Sequence, residues 1–136
     1  MSEAASTSPP PSPFEQIGGA PVIASIVDRF YDLMDQDPAY AELRAMHAAD
    51  LAPMRHSLAG WLMAWAGGPR NWFAENPGKC IMRSHRALGI APETAEQWID
   101  AMTRAIADCG PEDRELGRTL AEQLDRIAQA MVTRNG

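Results

Sequence analysis

Apolar residues recur at steps of three and four along four segments of the chain, which is the period of an amphipathic helix. The pattern predicts helices over residues 21–36, 50–66, 92–109 and 111–133. An alternation of apolar and polar residues with period two extends over no useful length, so the sequence predicts an all-α fold. The four segments differ in length and in their connections, and no internal repeat is visible.

Prolines and glycines mark the ends of these segments. Proline fits the first turn of a helix because its missing N–H has no partner within the helix there. Asp50 is a candidate N-cap for the second helix, and the run Gly67-Gly68-Pro69 is expected to end it. Since only Gly110 separates the third helix from the proposed start of the fourth, we expect these two to form an antiparallel hairpin.

The connections around the second helix are longer. Residues 38–46 and 81–88 are predicted to be short connectors, and residues 67–79 are predicted to be a loop rich in Gly, Pro and Asn. A short turn over residues 14–17 precedes a glycine pair. Long connections on both sides of a helix disfavour a plain up-and-down bundle, whose connections are short. Long loops usually have a function.

The N-terminal segment differs from the rest in composition. Residues 1–13 hold four prolines and several serines, and they lack the basic and apolar regions of a signal peptide. We expect a disordered Ser/Pro-rich tail over residues 1–13 and a single folded domain over residues 14–134.

Charge and cysteine content exclude several classes of protein. The net charge is −6 and no basic cluster is present, which argues against binding to nucleic acid or to an anionic membrane surface. No apolar run approaches the roughly 20 residues of a membrane helix. Cys80 and Cys109 lie far apart and suggest no disulfide framework, so we expect a reducing, cytoplasmic location.

Few residues are suited to metal or catalytic chemistry. The three histidines are His47, His56 and His85, and they form none of the close pairs that zinc or di-iron bundle sites need. His85 lies between the long loop and the next helix, where it is either a structural histidine or the axial ligand of a haem. Tyr31 and Trp98 lie on apolar helix faces, so they belong to the core or line a pocket.

Taken in order, several motifs resemble those of a group II truncated haemoglobin. They are Phe14-x-x-Ile17-Gly18-Gly19, Val-Asp-Arg-Phe-Tyr-Asp-Leu-Met at 27–34, Leu-Arg-x-Met-His at 43–47, Gly-Gly-Pro at 67–69, His85 and Trp98. The resemblance extends from about Phe14 to Met131. It implies a two-over-two helical sandwich that encloses one haem b (iron protoporphyrin IX).

The resemblance also implies roles for individual residues. His85 matches the iron ligand, and Tyr31, His47 and Trp98 match the polar residues of the ligand pocket. The other residues expected around the haem are Phe30, Leu51, Met54, Arg55, Leu58, Trp72, Met82, Arg83 and Ile90.

The sequence departs from the family pattern at three places. One is the run Arg-Ala-Leu-Gly-Ile at 86–90, where the family often has a proline and a phenylalanine. Met54 stands where a small residue is common. Ser84 stands where an arginine is usual, which leaves Arg83, Arg55 and Arg86 as rival partners for the haem propionates.

The resemblance implies reversible binding of O2, CO or NO. Tyr31 and Trp98 are hydrogen-bond donors that would slow the release of O2. A second hypothesis is an enzyme on the same haem, an NO dioxygenase or a peroxidase, which needs an external reductase or other electron donor. A third is a haem-free helical module for interaction or sensing, which the apolar stripes alone would permit.

Overall fold

All regular elements in the described part of the chain are helical. The computed structural model describes residues 12–77, 85 and 89–132. The α-helices within them are α1 (Pro13–Ile17), α2 (Gly19–Gln36), α3 (Ala41–Ala45), α4 (Ala52–Trp65), α5 (Asn71–Glu75), α6 (Pro92–Cys109) and α7 (Arg114–Ala130), with a 3₁₀ turn at Pro38–Tyr40. The prediction of an all-α fold is confirmed.

Two 18-residue helices, α2 and α6, form the centre of the fold. They pack against each other, α4 packs against α2, and α7 packs against α6. Each central helix buries a stripe of apolar residues, and Phe30, Met102 and Ala105 are completely inaccessible to solvent. Burial of this kind is the main favourable term in folding. The two helix pairs agree with the expected two-over-two sandwich.

The first helix begins earlier than the predicted boundary of the tail. The Ser12 hydroxyl accepts a hydrogen bond from the Glu15 N–H, and the Glu15 carboxylate accepts one from the Ser12 N–H at 3.0 Å. This reciprocal capping box stabilises the start of a helix. Ser12 and Pro13, which were expected in the tail, are therefore the N-cap and the first residue of α1, and residues 1–11 lie outside the described chain.

Two glycines allow α1 to lie against the end of α4. Gly18 has a φ of +124°, and a Cβ at that position would collide with the side chain of Val22. A Cβ at Gly68 would collide with the ring of Phe14, whose N–H donates to the Ala66 carbonyl at 2.9 Å. Glycine is therefore required at 18 for the turn from α1 into α2, and at 68 for the close approach of Phe14 to the end of α4.

Several boundaries predicted from the sequence were wrong, including the starts of three helices. Helix α2 begins at Gly19, two residues before Pro21. Helix α4 begins at Ala52, with Leu51 as its N-cap residue, although the Asp50 carboxylate still accepts a hydrogen bond from the Ala52 N–H at 3.0 Å.

The last helix begins later than predicted, and the loop before His85 is not wholly irregular. Helix α7 begins at Arg114 instead of Pro111, because the Asp113 carboxylate caps it by accepting from the Glu115 and Leu116 N–H groups. The predicted loop over residues 67–79 contains α5. Among the described residues, no helix is long and apolar enough to cross a membrane.

Candidate functional site

The helices enclose a cavity of about 470 Å³. Residues of α2 and of α4 to α7 line it, together with the end of α3 and the turn that follows. Most of the lining is apolar, and the volume lies within the range of about 300–1,000 Å³ that is typical of small-molecule and cofactor sites. This cavity is the candidate ligand site.

The structure brings most of the predicted site residues together around this cavity. Those that line it are Tyr31, His47, Met54, Leu58, Trp72, His85, Ile90 and Trp98. They come from separate parts of the sequence, and the packing of α2, α4 and α6 is what unites them. Met54 is 37% exposed and Trp72 only 6% exposed, so the two differ greatly in their access to solvent.

Other predicted site residues are not among the described residues that line the cavity. Phe30 lies in the core and supports two lining residues, with its ring edge-to-face against Tyr31 at 4.9 Å and Trp98 at 5.3 Å between centroids. Leu51 is buried in the hydrophobic core. Met82 and Arg83 lie outside the described residues, as do Ser84 and Arg86.

Arg55 also lies away from the cavity lining. Its guanidinium pairs with the Asp28 carboxylate at 3.2 Å and the Asp32 carboxylate at 2.9 Å, both on α2. It also lies 5.7 Å from the centroid of the Tyr31 ring. These contacts connect α4 to α2 beside the cavity.

The Tyr31 phenol is buried and protonated. Burial raises the pKa of Tyr31 to about 12, while the nearby Arg55 charge acts weakly in the opposite direction. The part of the chain that the structure describes forms no hydrogen bond with this hydroxyl. Because a protonated phenol can both donate and accept, Tyr31 offers the cavity a donor over the whole physiological pH range.

His47 contributes an imidazole whose protonation site follows from its contacts. Its Nδ1 lies 2.9 Å from the Leu43 carbonyl oxygen. A carbonyl can only accept, so Nδ1 carries the proton and Nε2 is the nitrogen left for other contacts. Burial lowers the pKa of His47, the bond to Leu43 acts in the opposite direction, and Arg44 and His85 lower it further. The ring is therefore neutral at pH 7.

The two tryptophans that predictions placed at the site differ in their hydrogen bonding. The Trp72 indole N–H donates to the Ser57 hydroxyl at 3.1 Å. The Trp98 indole N–H has no acceptor within the described residues, and this side chain lines the cavity. An indole nitrogen can only donate, so Trp98 supplies the cavity with a second unused donor.

His85 is half-buried and lines the same cavity as these polar side chains. Among the described residues, no group of three His, Cys, Asp or Glu side chains could hold a metal ion unaided. A single imidazole in an apolar cavity instead fits a metal whose other ligands come from a macrocycle, as in haem proteins. The residues present therefore fit a haem.

Sequence reasoning missed part of the lining. Ser57, Asn76 and Thr94 add polar atoms, and Leu124, Ile127 and Met131 of α7 add an apolar surface. The helical stripe of α7 was visible in the sequence, but a stripe does not distinguish core positions from cavity positions. The Thr94 hydroxyl donates to the Ala91 carbonyl and the Asn76 amide to the Trp72 carbonyl, both at 2.9 Å, so both occupy local caps that carry no periodic signal.

The fold and the site together define a class of protein. Two helix pairs surround a largely apolar cavity in which one imidazole meets a phenol, an indole and a second imidazole. This combination is that of a helical haem protein of the globin type. The sequence profile of the bacterial-like globin family matches residues 12–133, and the chain belongs to this family. Membership implies that it binds haem.

Solved structures of truncated haemoglobins share this fold. The group II 2-on-2 haemoglobin of Agrobacterium tumefaciens is 28% identical, with a TM-score of 0.87, over 93% of this chain and 98% of that chain. The group II truncated haemoglobin of Bacillus anthracis is 29% identical, with a TM-score of 0.83, over 95% and 97%. The cold-adapted truncated haemoglobin of Pseudoalteromonas haloplanktis is 25% identical, with a TM-score of 0.87, over 92% and 100%. The resemblance to group II truncated haemoglobins is confirmed.

Proposed function

We propose that this protein binds haem b through His85 and reversibly binds O2, CO or NO beside Tyr31, His47 and Trp98. The observation that carries the proposal is the meeting of these four side chains around one cavity, with two hydrogen-bond donors that no described residue uses. When bound, the haem iron supplies an open coordination position for a diatomic gas.

The apolar lining and His85 are suited to holding the cofactor. Neutral imidazole is the usual axial ligand of haem in globins, and the side chains of α7 would cover an apolar ring system. Arg55 is a poor candidate for the propionates, because it would have to give up its ion pairs with Asp28 and Asp32. That role falls to Arg83 or Arg86 in this proposal.

The polar side chains are suited to holding the ligand. Tyr31 stays protonated because its pKa is about 12, and the Trp98 N–H can only donate. A hydrogen bond to a group that carries charge contributes roughly 1.5–3 kcal/mol. Since about 1.4 kcal/mol corresponds to a factor of ten, each donor would slow the release of O2 by about 10- to 100-fold.

The test is the absorption spectrum of the purified full-length protein in its ferric, ferrous and O2-exposed forms. We expect a Soret band in all three forms and a ferrous–O2 spectrum that lasts long enough to record. A protein that shows no Soret band after incubation with haem would contradict the proposal and would favour the haem-free helical module.

Slow release of O2 favours a second candidate function, the oxidation of NO to nitrate or a peroxidase reaction on the same haem. The two unused donors in one cavity suit retention of O2 better than its delivery. Such a cycle requires an external electron donor. Consumption of NO over many turnovers with an added reductant would support this candidate, whereas a single stoichiometric turnover would leave reversible binding as the function.

A further inference from the structure

Helix α6 holds the segment that leads to His47. Gln97, Asp100 and Arg104 follow one another at steps of three and four, so they lie along one side of the helix. Asp100 accepts a hydrogen bond from the Tyr40 hydroxyl at 2.5 Å, and Arg104 donates to the same hydroxyl at 2.9 Å. Arg104 also pairs with the Asp37 carboxylate at 2.9 Å. Helix α6 thus presents Trp98 to the cavity. It also holds Asp37 and Tyr40, which lie at the start of the segment that leads to His47.

Gln97 contacts this segment closest to His47. Its Oε1 accepts a hydrogen bond from the Leu43 N–H at 3.1 Å, and its Nε2 donates to the Glu42 carboxylate at 3.3 Å. A backbone N–H can only donate and a carboxylate can only accept, so the two contacts fix the orientation of the Gln97 amide.

The two backbone polar groups of Leu43 are held differently. Its carbonyl accepts a hydrogen bond from the nearby Met46 N–H at 3.1 Å, whereas its N–H donates to Gln97. Leu43 lies in α3, a helix of five residues, and the N–H groups of a first turn have no partner within their own helix. Its side chain is buried, and its carbonyl accepts the hydrogen bond from His47 Nδ1 at 2.9 Å. Leu43 therefore contacts Gln97 through its N–H and the His47 imidazole through its carbonyl, which belongs to the next peptide group.

We infer that Gln97 is a positioning residue that determines, through the backbone of Leu43, which nitrogen of His47 is available to the cavity. The inference rests on the proposed function, in which His47 is one of the polar residues around the ligand. With Nδ1 committed to Leu43, the neutral ring can offer only Nε2, and only as an acceptor.

This arrangement divides the roles in the pocket. Tyr31 and Trp98 donate, whereas His47 accepts. The Tyr31 and His47 rings lie edge-to-face with centroids 6.0 Å apart, so the donor residue and the acceptor residue are neighbours in the cavity lining. A bound gas is then stabilised by two donors, and Gln97 prevents His47 from becoming a third.

The inference is tested by exchanging Gln97 for a side chain of similar length without a hydrogen-bonding oxygen, Gln97→Met. Imidazole ¹⁵N spectra of the full-length protein report the tautomer of His47, and the His47→Leu spectrum assigns its signals. At neutral pH the native protein should show the Nδ1–H form. In Gln97→Met the tautomer ratio should move toward the Nε2–H form by about 2- to 10-fold, the factor for weakening one neutral hydrogen bond.

Two further variants separate positioning from general stability. Gln97→Glu combined with Glu42→Gln keeps an acceptor for the Leu43 N–H without placing two carboxylates together, so it should retain the native tautomer. Tyr40→Phe removes two hydrogen bonds from the same segment but leaves both backbone hydrogen bonds of Leu43 in place, so it should also retain the native tautomer.

An unchanged tautomer in Gln97→Met would overturn the inference, as would an equal change in Tyr40→Phe. The spectra can be recorded with or without haem. Failure of the proposed function would appear as a missing Soret band, whereas failure of this inference would appear in the ¹⁵N shifts alone, so the two are distinguishable.

Discussion

The cavity has two kinds of lining that are held in different ways. The polar lining consists of Tyr31, His47 and Trp98, and each of its members has defined neighbours, either the Phe30 ring or the Leu43 carbonyl. The apolar lining of α7 consists of Leu124, Ile127, Ala128 and Met131, which are held by packing alone.

The difference follows from the forces that each lining uses. A hydrogen bond weakens steeply when its angle departs from linearity, so a donor must be held in direction as well as in place. The hydrophobic effect has no direction and is roughly proportional to the area removed from water. The polar lining is therefore expected to control how a ligand is held, and the apolar lining with His85 to control whether the cofactor stays bound.

The largest effect is expected from His85→Ala. Loss of the proposed axial ligand should reduce haem affinity more than about 100-fold, because even residues that merely orient a metal ligand contribute about 10- to 100-fold. Titration of the haem-free variant with haem, followed at the Soret band, measures the effect. A haem affinity equal to that of the native protein would show that the apolar lining alone suffices to hold haem, and it would contradict the role assigned to His85.

Leu124→Ala should lower the free energy of unfolding by about 2–5 kcal/mol, since it leaves a void where a leucine that is 1% exposed now packs. Urea denaturation measures the change. Leu116→Ala, on the same helix but only half-buried, is the matched control and should have a smaller effect. Equal losses would mean that the buried stripe of α7 is not what stabilises this part of the fold.

Tyr31→Phe should raise the O2 dissociation rate by about 10- to 100-fold while leaving haem affinity unchanged, because it removes one donor and preserves the ring. Stopped-flow displacement of O2 by CO measures the rate. Trp98→Phe should act in the same direction, whereas Leu116→Ala should leave the rate unchanged. A loss of haem in Tyr31→Phe would show that the two linings do not have separate roles.

The smallest effect is one of pH. Tyr31 and Tyr40 are the only tyrosines, and burial raises the pKa of both, with Asp100 adding to the effect at Tyr40. The native protein should therefore show less phenolate absorbance at pH 10 than the denatured chain, which is about half ionised there.

The sign of the stability change follows from the same pKa values. Because the pKa of Tyr31 is higher in the folded state, its contribution is fully present below pH 10 and is lost as the pH rises through about 12. Urea denaturation at pH 9 and pH 11 should show this loss in the native protein and a smaller one in Tyr31→Phe. A native phenolate midpoint at pH 10 would contradict the burial of these side chains.

The long helices were predictable because their apolar stripes repeat over 14 to 18 residues, and the stripe of α2 included Tyr31. Helix α5 was missed because five residues are too few for a period to show. The start of α7 was predicted wrongly at Pro111, because a proline fits both the first turn of a helix and the loop before it. Here Asp113 provides the cap.

The site was predictable mainly through family resemblance. Periodicity could place Tyr31 and Trp98 on buried faces, but it could not say that they meet at one cavity, which depends on how α2 and α6 cross. Phe30 and Leu51 were expected around the haem and are not among the described residues that line the cavity. Gln97 gave no signal at all, because its importance arises from a hydrogen bond to a residue 54 positions away in the chain.

The cavity has a consequence for the abundance of the protein in a cell. A ligand that occupies a cavity of about 470 Å³ makes packing contacts with the side chains that line it. A ligand that binds only the folded state stabilises it by mass action, by about 2.7 kcal/mol when its concentration is 100 times the dissociation constant. Proteases degrade chains from the unfolded population. The abundance of this protein should therefore rise and fall with the supply of haem, even at a constant rate of synthesis.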